Sequence, residues 1–249
     1  MRRRFFVERF GDGVATLAGE AAHHLGRVLR AEPGQTYELS DGETVYLARV
    51  REVRRDAIEF SLVEPKPGKA QRVEATLLLA IVKFDRFEWA LEKATELGVR
   101  EVVPLAAERS EKALIAAAGK RSVRWKKILL ESAQQARCLR PPALDPLTKA
   151  ALAFRKRGGG RAILLSERAG APPLRTAFGR GRVVEEAGES SSLPVRLTFA
   201  AGPEGGWTDA ELAAAQEAGF AEASLGTNIL RTETAVVAGL AAAQLYFGE

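Results

Sequence analysis

The sequence predicts an α/β protein in which a small β-rich domain precedes a larger domain built on a parallel sheet. From Thr36 to Val63, short strand patterns alternate with turn residues, whereas beyond Arg72 apolar strand patterns alternate with amphipathic helix patterns. The chain has 249 residues, of which 46% are hydrophobic and 28% charged, as in ordinary globular proteins. We therefore expect two domains, 1–70 and 73–249.

The first domain is predicted to be a small β-barrel. Apolar residues at helical spacing predict a helix over Glu20–Arg30, which ends before Pro33-Gly34. Asp41-Gly42 is a hairpin signal between the first two of three strands. The predicted strands are Thr36–Ser40, Thr44–Val50 and Ala57–Val63. Pro65, Pro67 and Gly68 predict a linker after the barrel.

The second domain is predicted to be a parallel sheet with helices on both faces, because strands and helices alternate along it. The candidate strands are Ala75–Val82, Glu101–Pro104, Arg161–Leu165, Val195–Ala201 and Ala223–Leu225. The candidate helices are Phe84–Leu97, Ser122–Leu139, Pro146–Arg157, Thr208–Ala218 and Thr232–Tyr246. Gly179–Pro194 is predicted to be a surface loop.

Several classes of protein are excluded by what the sequence lacks. It contains no Gly-x-Gly-x-x-Gly after a strand, no P-loop and no Gly-x-Ser-x-Gly elbow. One cysteine, Cys138, and two histidines, His23 and His24, are too few for a metal centre, so we expect no metal. No apolar run is long enough to cross a bilayer and the amino terminus is not a secretory signal, so we expect a cytoplasmic protein without membrane contact.

The charge balance is mildly basic, with 37 lysines and arginines against 32 acidic residues. Seven basic residues and one acid lie between Lys120 and Arg140. This stretch could lie along phosphates, or it could be a solvated helix face.

Two loops have the composition of a ligand site. Gly202-Pro203-Glu204-Gly205-Gly206 directly follows a predicted strand, and Thr208 with Glu211 forms a capping box that starts the next helix. Leu225–Ala235 joins the last strand to the last helix. Open α/β sheets bind ligands at the carboxyl ends of their strands, where both loops should lie. The alternatives are that the first loop is only a turn, and that Arg231 and Glu233 only pair near a helix start.

These two loops together closely resemble the RsmE family of 16S ribosomal RNA uridine-N3 methyltransferases, within the SPOUT (trefoil-knot) superfamily. The carrying motifs are Gly202–Gly206 and Leu225-Gly-x-x-Ile-Leu-Arg-Thr-Glu-Thr-Ala235. Three further stretches resemble the family: His23–Arg30, Glu92–Val99 and Glu131–Arg140, which contains Gln134-Gln135. Thr227-Asn228 and the long Gly179–Pro194 segment depart from its usual pattern.

The resemblance implies an amino-terminal PUA-like RNA-binding β-barrel and a carboxy-terminal SPOUT α/β domain with a deep trefoil knot. It implies a homodimer that methylates N3 of a specific uridine in 16S ribosomal RNA of the small subunit. The methyl donor would be S-adenosyl-L-methionine, and Arg231 and Glu233 would be catalytic. The resemblance assigns cofactor binding to Leu165, Ser166, Glu167, Ala201, Gly202, Pro203, Glu204, Gly205, Gly206, Leu225, Gly226, Ile229, Leu230, Arg231, Thr232 and Ala235. The residues expected to bind RNA are Arg2, Arg3, Arg4, His24, Arg27 and Arg30.

Two other functions remain open at this point. A SPOUT enzyme could methylate a ribose hydroxyl of RNA instead of a base. The chain could also be a non-catalytic RNA-binding module that has lost its cofactor. Binding of S-adenosylmethionine separates the second from an enzyme, and the position of the methyl group on the nucleotide separates the first.

Overall fold

The computed structural model describes residues 3–67, 71–158, 160–179 and 194–248. The chain divides into two compact units. One unit comprises Met1–Lys69 and Leu130–Pro141, and the other comprises Ala70–Leu129 and Pro142–Glu249. Within the described ranges, no helix combines the length and the apolar composition that a membrane span requires.

The first unit contains a five-stranded sheet with strand order β1-β3-β4-β5-β2. Its elements are β1 (Arg4–Phe6), β2 (Val14–Ala18), α1 (Gly19–His23), β3 (Thr36–Ser40), β4 (Val45–Val53) and β5 (Ala57–Lys66). β1 pairs with β3 in parallel, and the other pairs are antiparallel. Phe5, Leu39, Ile58 and Phe60 are fully buried in its core because alternate residues of each strand face one side.

The first unit differs from the prediction in three ways. The expected helix over Glu20–Arg30 is only α1 followed by a π-helical turn at His24–Val28. Pro65, assigned to a linker, lies inside β5, where it is opposite Tyr46 at the end of the hairpin. The short strands β1 and β2 were not predicted, since three to five residues carry little periodicity.

The second unit is built on a parallel sheet with strand order β12-β10-β11-β6-β7-β8, and β9 also pairs with β7. Every strand pair in it is parallel. Its strands are β6 (Val73–Ala80), β7 (Val99–Ala106), β8 (Ala143–Leu144), β9 (Thr148–Lys149), β10 (Arg161–Leu165), β11 (Val195–Ala201) and β12 (Ala221–Ala223). Its helices are α2 (Phe84–Glu96), α3 (Lys112–Ala136, whose last residues belong to the first unit), α4 (Ala150–Arg157), α5 (Leu174–Gly179), α6 (Asp209–Glu217) and α7 (Thr232–Phe247).

Helices cover both faces of this sheet, which confirms the predicted α/β class. Leu77 and Leu79 of β6 pack with buried residues of α2, α3 and α7. Leu78 and Ala80 of the same strand face the opposite side, where Phe154 of α4 and Ala215 of α6 are buried. Strands that are apolar on both sides are typical of parallel sheets.

The element bounds agree best where the sequence has sharp turn signals. β10 and β11 begin and end at the predicted residues. α3 starts ten residues before the predicted Ser122, because Leu114 to Ala118 are good helix formers and Gly119 does not interrupt the helix. α4 starts at Ala150 and not at Pro146, since residues 148–149 pair with β7. The loop predicted at Gly179–Pro194 falls largely on residues 180–193, outside the described residues.

The segment 130–141 is built into the first unit by hydrogen bonds. Arg4 pairs with Glu38 at 3.0 Å and donates to the carbonyl oxygens of Arg137 and Cys138. The hydroxyl of Ser40 donates to the carbonyl of Leu139 at 2.6 Å. This end of the basic stretch therefore has a structural role.

Candidate active site

A cleft opens at the carboxyl ends of β10, β11 and β12. It lies at the edge of the parallel sheet where α/β proteins bind ligands. Its lining combines three loops, one after each of these strands, with one residue that follows β7. The lining residues are Arg109, Leu165, Ser166, Glu167, Arg168, Ala201, Gly202, Pro203, Glu204, Gly206, Trp207, Ser224, Leu225, Gly226, Thr227, Asn228, Ile229, Leu230, Thr232 and Ala235.

The loop after β11, residues 202–206, is held closely against the end of β10. The indole Nε1 of Trp207 donates to the carbonyl of Leu165 at 2.9 Å, and this tryptophan is 7% exposed. A Cβ atom on Gly202 would lie 2.9 Å from Cε2 of Trp207, closer than real Cβ contacts allow. Gly206 has φ +69°, a backbone conformation that favours glycine. Glycine at these two positions is therefore required by the loop geometry.

The same loop is tied to the segment that follows β7. The predicted capping box is confirmed, because Thr208 accepts from the N–H of Glu211 and the Glu211 side chain accepts from the N–H of Thr208. The second carboxylate oxygen of Glu211 accepts from the N–H of Glu108 at 2.9 Å. The guanidinium of Arg109 donates to the carbonyl of Gly205 at 2.8 Å. These bonds fix the position of the loop relative to the sheet.

The loop after β12 meets the first loop at the start of α7. The hydroxyl of Thr232 donates to the carbonyl of Gly202 at 2.8 Å. The hydroxyl of Ser224 donates to the carbonyl of Gly226 at 3.0 Å, and Gly226 has φ +134°. The structure thus brings both loops singled out in the sequence to one cleft.

The two residues expected to be catalytic are placed differently from each other. Arg231 is the exposed N-cap residue of α7. The Glu233 side chain is 13% exposed, and its Oε1 lies 3.9 Å from Nε of Arg86 on α2. Arg86 also forms an ion pair with Glu204 through its Nη1. The positive partner of Glu233 in the structure is therefore Arg86. The alternative of a simple ion pair between Glu233 and Arg231 is not what the structure shows.

One carboxylate oxygen of Glu233 does not take part in the ion pair with Arg86. Its Oε2 is buried and has no hydrogen-bond partner within the part of the chain that the structure describes. A buried carboxylate oxygen normally has a hydrogen-bond partner, so this atom retains the capacity to accept one more hydrogen bond.

Most of the residues expected to hold a cofactor lie in the cleft. All of them line it except Gly205, whose carbonyl is held by Arg109, and Arg231. The sequence reasoning missed Arg86, which pairs with Glu204 and Glu233 from α2. It also missed six lining residues: Arg109, Arg168, Trp207, Ser224, Thr227 and Asn228. Four of these adjoin or lie inside the quoted motifs, whereas Arg109 could have been suspected only because it follows a parallel strand.

The residues expected to bind RNA are placed as follows. Arg3, Arg27 and Arg30 are exposed, and His24 is half-buried in the π-helical turn. Arg4 is largely buried and occupied by Glu38 and two carbonyl oxygens. Arg2 lies outside the described residues.

Comparison with known proteins relates both units to RNA modification. Residues 69–244 match the family described as RNA methyltransferase domain, and residues 17–63 match the RNA methyltransferase PUA domain. Ribosomal RNA small subunit methyltransferase E of Synechocystis is 31% identical over 94% of this chain and 74% of its own length. The Bacillus subtilis protein of the same name is 28% identical, over 96% and 95% of the two chains.

A solved structure agrees with these sequence matches. The crystal structure of ribosomal RNA small subunit methyltransferase E from Neisseria gonorrhoeae bound to S-adenosyl methionine has a TM-score of 0.83 and 28% identity. The match covers 99% of this chain and 98% of the other. The chain therefore belongs to the ribosomal RNA small subunit methyltransferase E family.

Proposed function

We propose that this protein transfers the methyl group of S-adenosylmethionine to N3 of a specific uridine in 16S ribosomal RNA of the small subunit. The observation that carries the proposal is the cleft at the ends of β10, β11 and β12 in a chain of this family. The named relatives act on small-subunit ribosomal RNA, and the Neisseria relative was solved with S-adenosylmethionine.

The residues that line the cleft fit such a cofactor in their chemistry. Gly202 and Gly206 both line the cleft, and a glycine offers its backbone groups to a ligand without a side chain of its own. Leu165–Glu167, Gly202–Gly206 and Leu225–Leu230 would hold the cofactor, with Glu167 and Arg168 of opposite charge beside each other at the rim. When bound, S-adenosylmethionine supplies an electrophilic methyl group on a positively charged sulfur.

The residues at the start of α7 supply the groups that a uracil needs. N3 of uracil carries a proton that must leave, and negative charge then develops on the flanking carbonyl oxygens. Arg231 would stabilise that charge, because its guanidinium is a planar donor that stays protonated. The unpartnered Oε2 of Glu233 would accept the proton, or a hydrogen bond from N3–H.

The first domain, 1–70, would bind the RNA, consistent with its PUA match. Arg3, Arg27 and Arg30 are exposed and would contact phosphates, and His24 would contact a base. For the second domain, 73–249, we propose the trefoil knot of the SPOUT superfamily and assembly into a homodimer. The sheet order is consistent with a knot, since β11 lies between the earlier strands β6 and β10. A ribosomal RNA substrate would place the protein in the cytosol.

The decisive experiment maps the methyl group on RNA. Unmethylated small subunits are incubated with the protein and S-adenosylmethionine, and the RNA is digested to nucleosides for mass spectrometry. We expect 3-methyluridine at one position, where reverse transcription also stops because the methyl group blocks base pairing. A methyl group on ribose would favour the ribose-methylating alternative. Failure of the cofactor to bind in calorimetry would favour the non-catalytic module.

A further inference from the structure

Arg86 stands between two carboxylates that belong to different loops of the cleft. Glu204 lies in the loop after β11, and Glu233 lies in the first turn of α7, directly after the loop that follows β12. Nη1 of Arg86 pairs with Glu204, and its Nε lies 3.9 Å from Oε1 of Glu233. The exposed fractions of the three side chains are 23% for Arg86, 46% for Glu204 and 13% for Glu233.

The helix that carries Arg86 is a firm support. The next residue, Phe87, is fully buried and packs on Trp125 with ring centroids 4.5 Å apart. The loop 202–206, by contrast, has glycine at three of its five positions, so its backbone depends on contacts with neighbouring side chains to keep one conformation. A cation on a rigid helix can therefore hold the two carboxylates, and the loops that carry them, at a fixed separation. Without it, two negative groups would face each other with no positive charge between them.

We propose that Arg86 is a positioning residue that ties the loop 202–206 to the first turn of α7 and so preorganises the cofactor cleft. It acts through Glu204 and Glu233 and does not itself line the cleft. The part of this inference that concerns cofactor affinity rests on the proposed function. The part that concerns loop mobility holds for the free protein.

Hydrogen exchange of the free protein tests the loop directly. The N–H of Gly206 bonds to the carbonyl of Pro203 at 2.9 Å, so its exchange rate reports opening of this loop. Glu204→Gln removes the ion pair between Arg86 and the loop and leaves the pair between Arg86 and Glu233 in place. It should speed exchange at Gly206 by about fivefold, as expected for the loss of a partly exposed ion pair. Exchange in the middle of α2 and α7 should not change, which separates loop opening from global destabilisation.

A second variant removes the guanidinium without leaving a buried charge unpaired. Arg86→Ala alone could unfold the protein, because Glu233 would lose its cation. Arg86→Ala combined with Glu233→Gln avoids this, and it should speed loop exchange as Glu204→Gln does. Arg86→Lys keeps the charge but loses the two-pronged geometry, so its exchange rate should lie between wild type and the double variant.

The matched control is Arg100→Ala, which breaks the ion pair with Glu74 at the amino-terminal ends of β6 and β7, away from the cleft. It should leave both the Gly206 exchange rate and cofactor affinity unchanged. In calorimetry, Glu204→Gln and the double variant should weaken S-adenosylmethionine binding by about the same factor as they speed exchange. The proposal would be overturned if Gly206 exchanged at the wild-type rate in both Glu204→Gln and the double variant. It would also be overturned if Arg100→Ala sped this exchange by the same factor. If wild-type protein fails to bind the cofactor, the proposed function fails, and the exchange measurements still decide the role of Arg86.

Discussion

Arg231 occupies a position where its charge does not help the fold. It is the N-cap of α7 and makes no capping hydrogen bond with its side chain. A cation at a helix N-terminus faces the positive end of the helix dipole, at a cost of about 0.3 to 1 kcal/mol. We therefore expect Arg231→Ala to retain or slightly raise the free energy of unfolding. Methyl transfer should fall about a hundredfold to a thousandfold, since one well-placed donor to a developing anion contributes about 3 to 4 kcal/mol.

Single-turnover assays at saturating S-adenosylmethionine, together with thermal unfolding, measure both effects. Arg231→Lys should restore little activity, because an ammonium group keeps the charge and loses the planar fork. A near-normal rate at saturating cofactor would show instead that Arg231 only pairs with the cofactor's carboxylate. That result would remove it from the catalytic residues.

Gly202 has no room for a side chain. Its Cβ would lie 2.9 Å from Cε2 of Trp207, which is itself held by a hydrogen bond to Leu165. Gly202→Ala should therefore displace Trp207 or the loop and weaken S-adenosylmethionine binding at least tenfold in calorimetry. Gly119→Ala is the control: a Cβ there meets no atom within 4 Å, and alanine favours the helix. Equal affinity of the two variants would show that the loop after β11 does not contact the cofactor.

A single residue of the candidate site is easiest to predict from the sequence when it lies inside a motif. Gly202 and Thr232 belong to two stretches whose composition already indicates a ligand site, and both line the cleft. Arg86 is more than a hundred residues away in sequence from Glu204, and no periodicity relates the two. Its role depends on how α2 packs, which local patterns do not encode.

Among the elements, the π-helical turn at His24–Val28 is the clearest candidate for RNA contact. Arg27 and Arg30 are exposed on and just after it. Replacing both by glutamine should weaken RNA binding and reduce the slope of log affinity against log salt by about 1.4, or about 0.7 for each phosphate contact with single-stranded RNA. Filter binding at several salt concentrations measures the slope. Cofactor affinity should not change.

Two comparison variants test whether this effect is specific. Arg54→Gln removes an exposed arginine that already pairs with Glu52 and Glu59, and its slope should equal that of wild type. Arg4→Gln should lower the free energy of unfolding and change the salt slope little, because Arg4 is largely buried against Glu38. A wild-type slope for the double variant would mean that Arg27 and Arg30 are ordinary surface charges.

The bounds of helices and strands could be predicted where turn residues flank the element. They could not be predicted where tertiary contacts decide where the element begins or ends. Val195–Ala201 is an apolar strand between a proline and a glycine-rich turn, and its predicted bounds are those of β11. α4 loses its expected first turn because residues 148–149 pair with β7. α3 continues through Gly119 since the Ala-rich residues before it outweigh the cost of one glycine.

For the whole molecule, alternation of strands and helices predicts the α/β class but not the order of strands in the sheet. The insertion of β11 between β6 and β10 depends on long-range pairing. The segment 130–141 belongs to the first unit although it follows sixty residues of the second. The predicted division into 1–70 and 73–249 assigned this segment to the second domain. Only the family resemblance, and no pattern in the residues, leads to the proposed knot.

The last helix bears on assembly. Val236 and Leu240 of α7 are buried in the core of the second unit, whereas Leu245 is 73% and Tyr246 48% exposed. Two adjacent large apolar side chains in water at the end of a helix are consistent with an interface in the proposed homodimer. Light scattering at micromolar concentration should therefore give twice the chain mass of 26.9 kDa.

Leu245→Glu should weaken this dimer at least tenfold, because it removes the burial of one leucine, worth about 1.5 to 3 kcal/mol, and brings charge into the contact. Val63→Glu is the matched control, since Val63 is a similarly exposed apolar residue on β5 of the first unit. Its mass should remain that of wild type across the same dilution series. If Leu245→Glu also remains dimeric, the interface lies elsewhere on the chain. A wild-type mass of one chain at these concentrations would show that the homodimer itself is wrong.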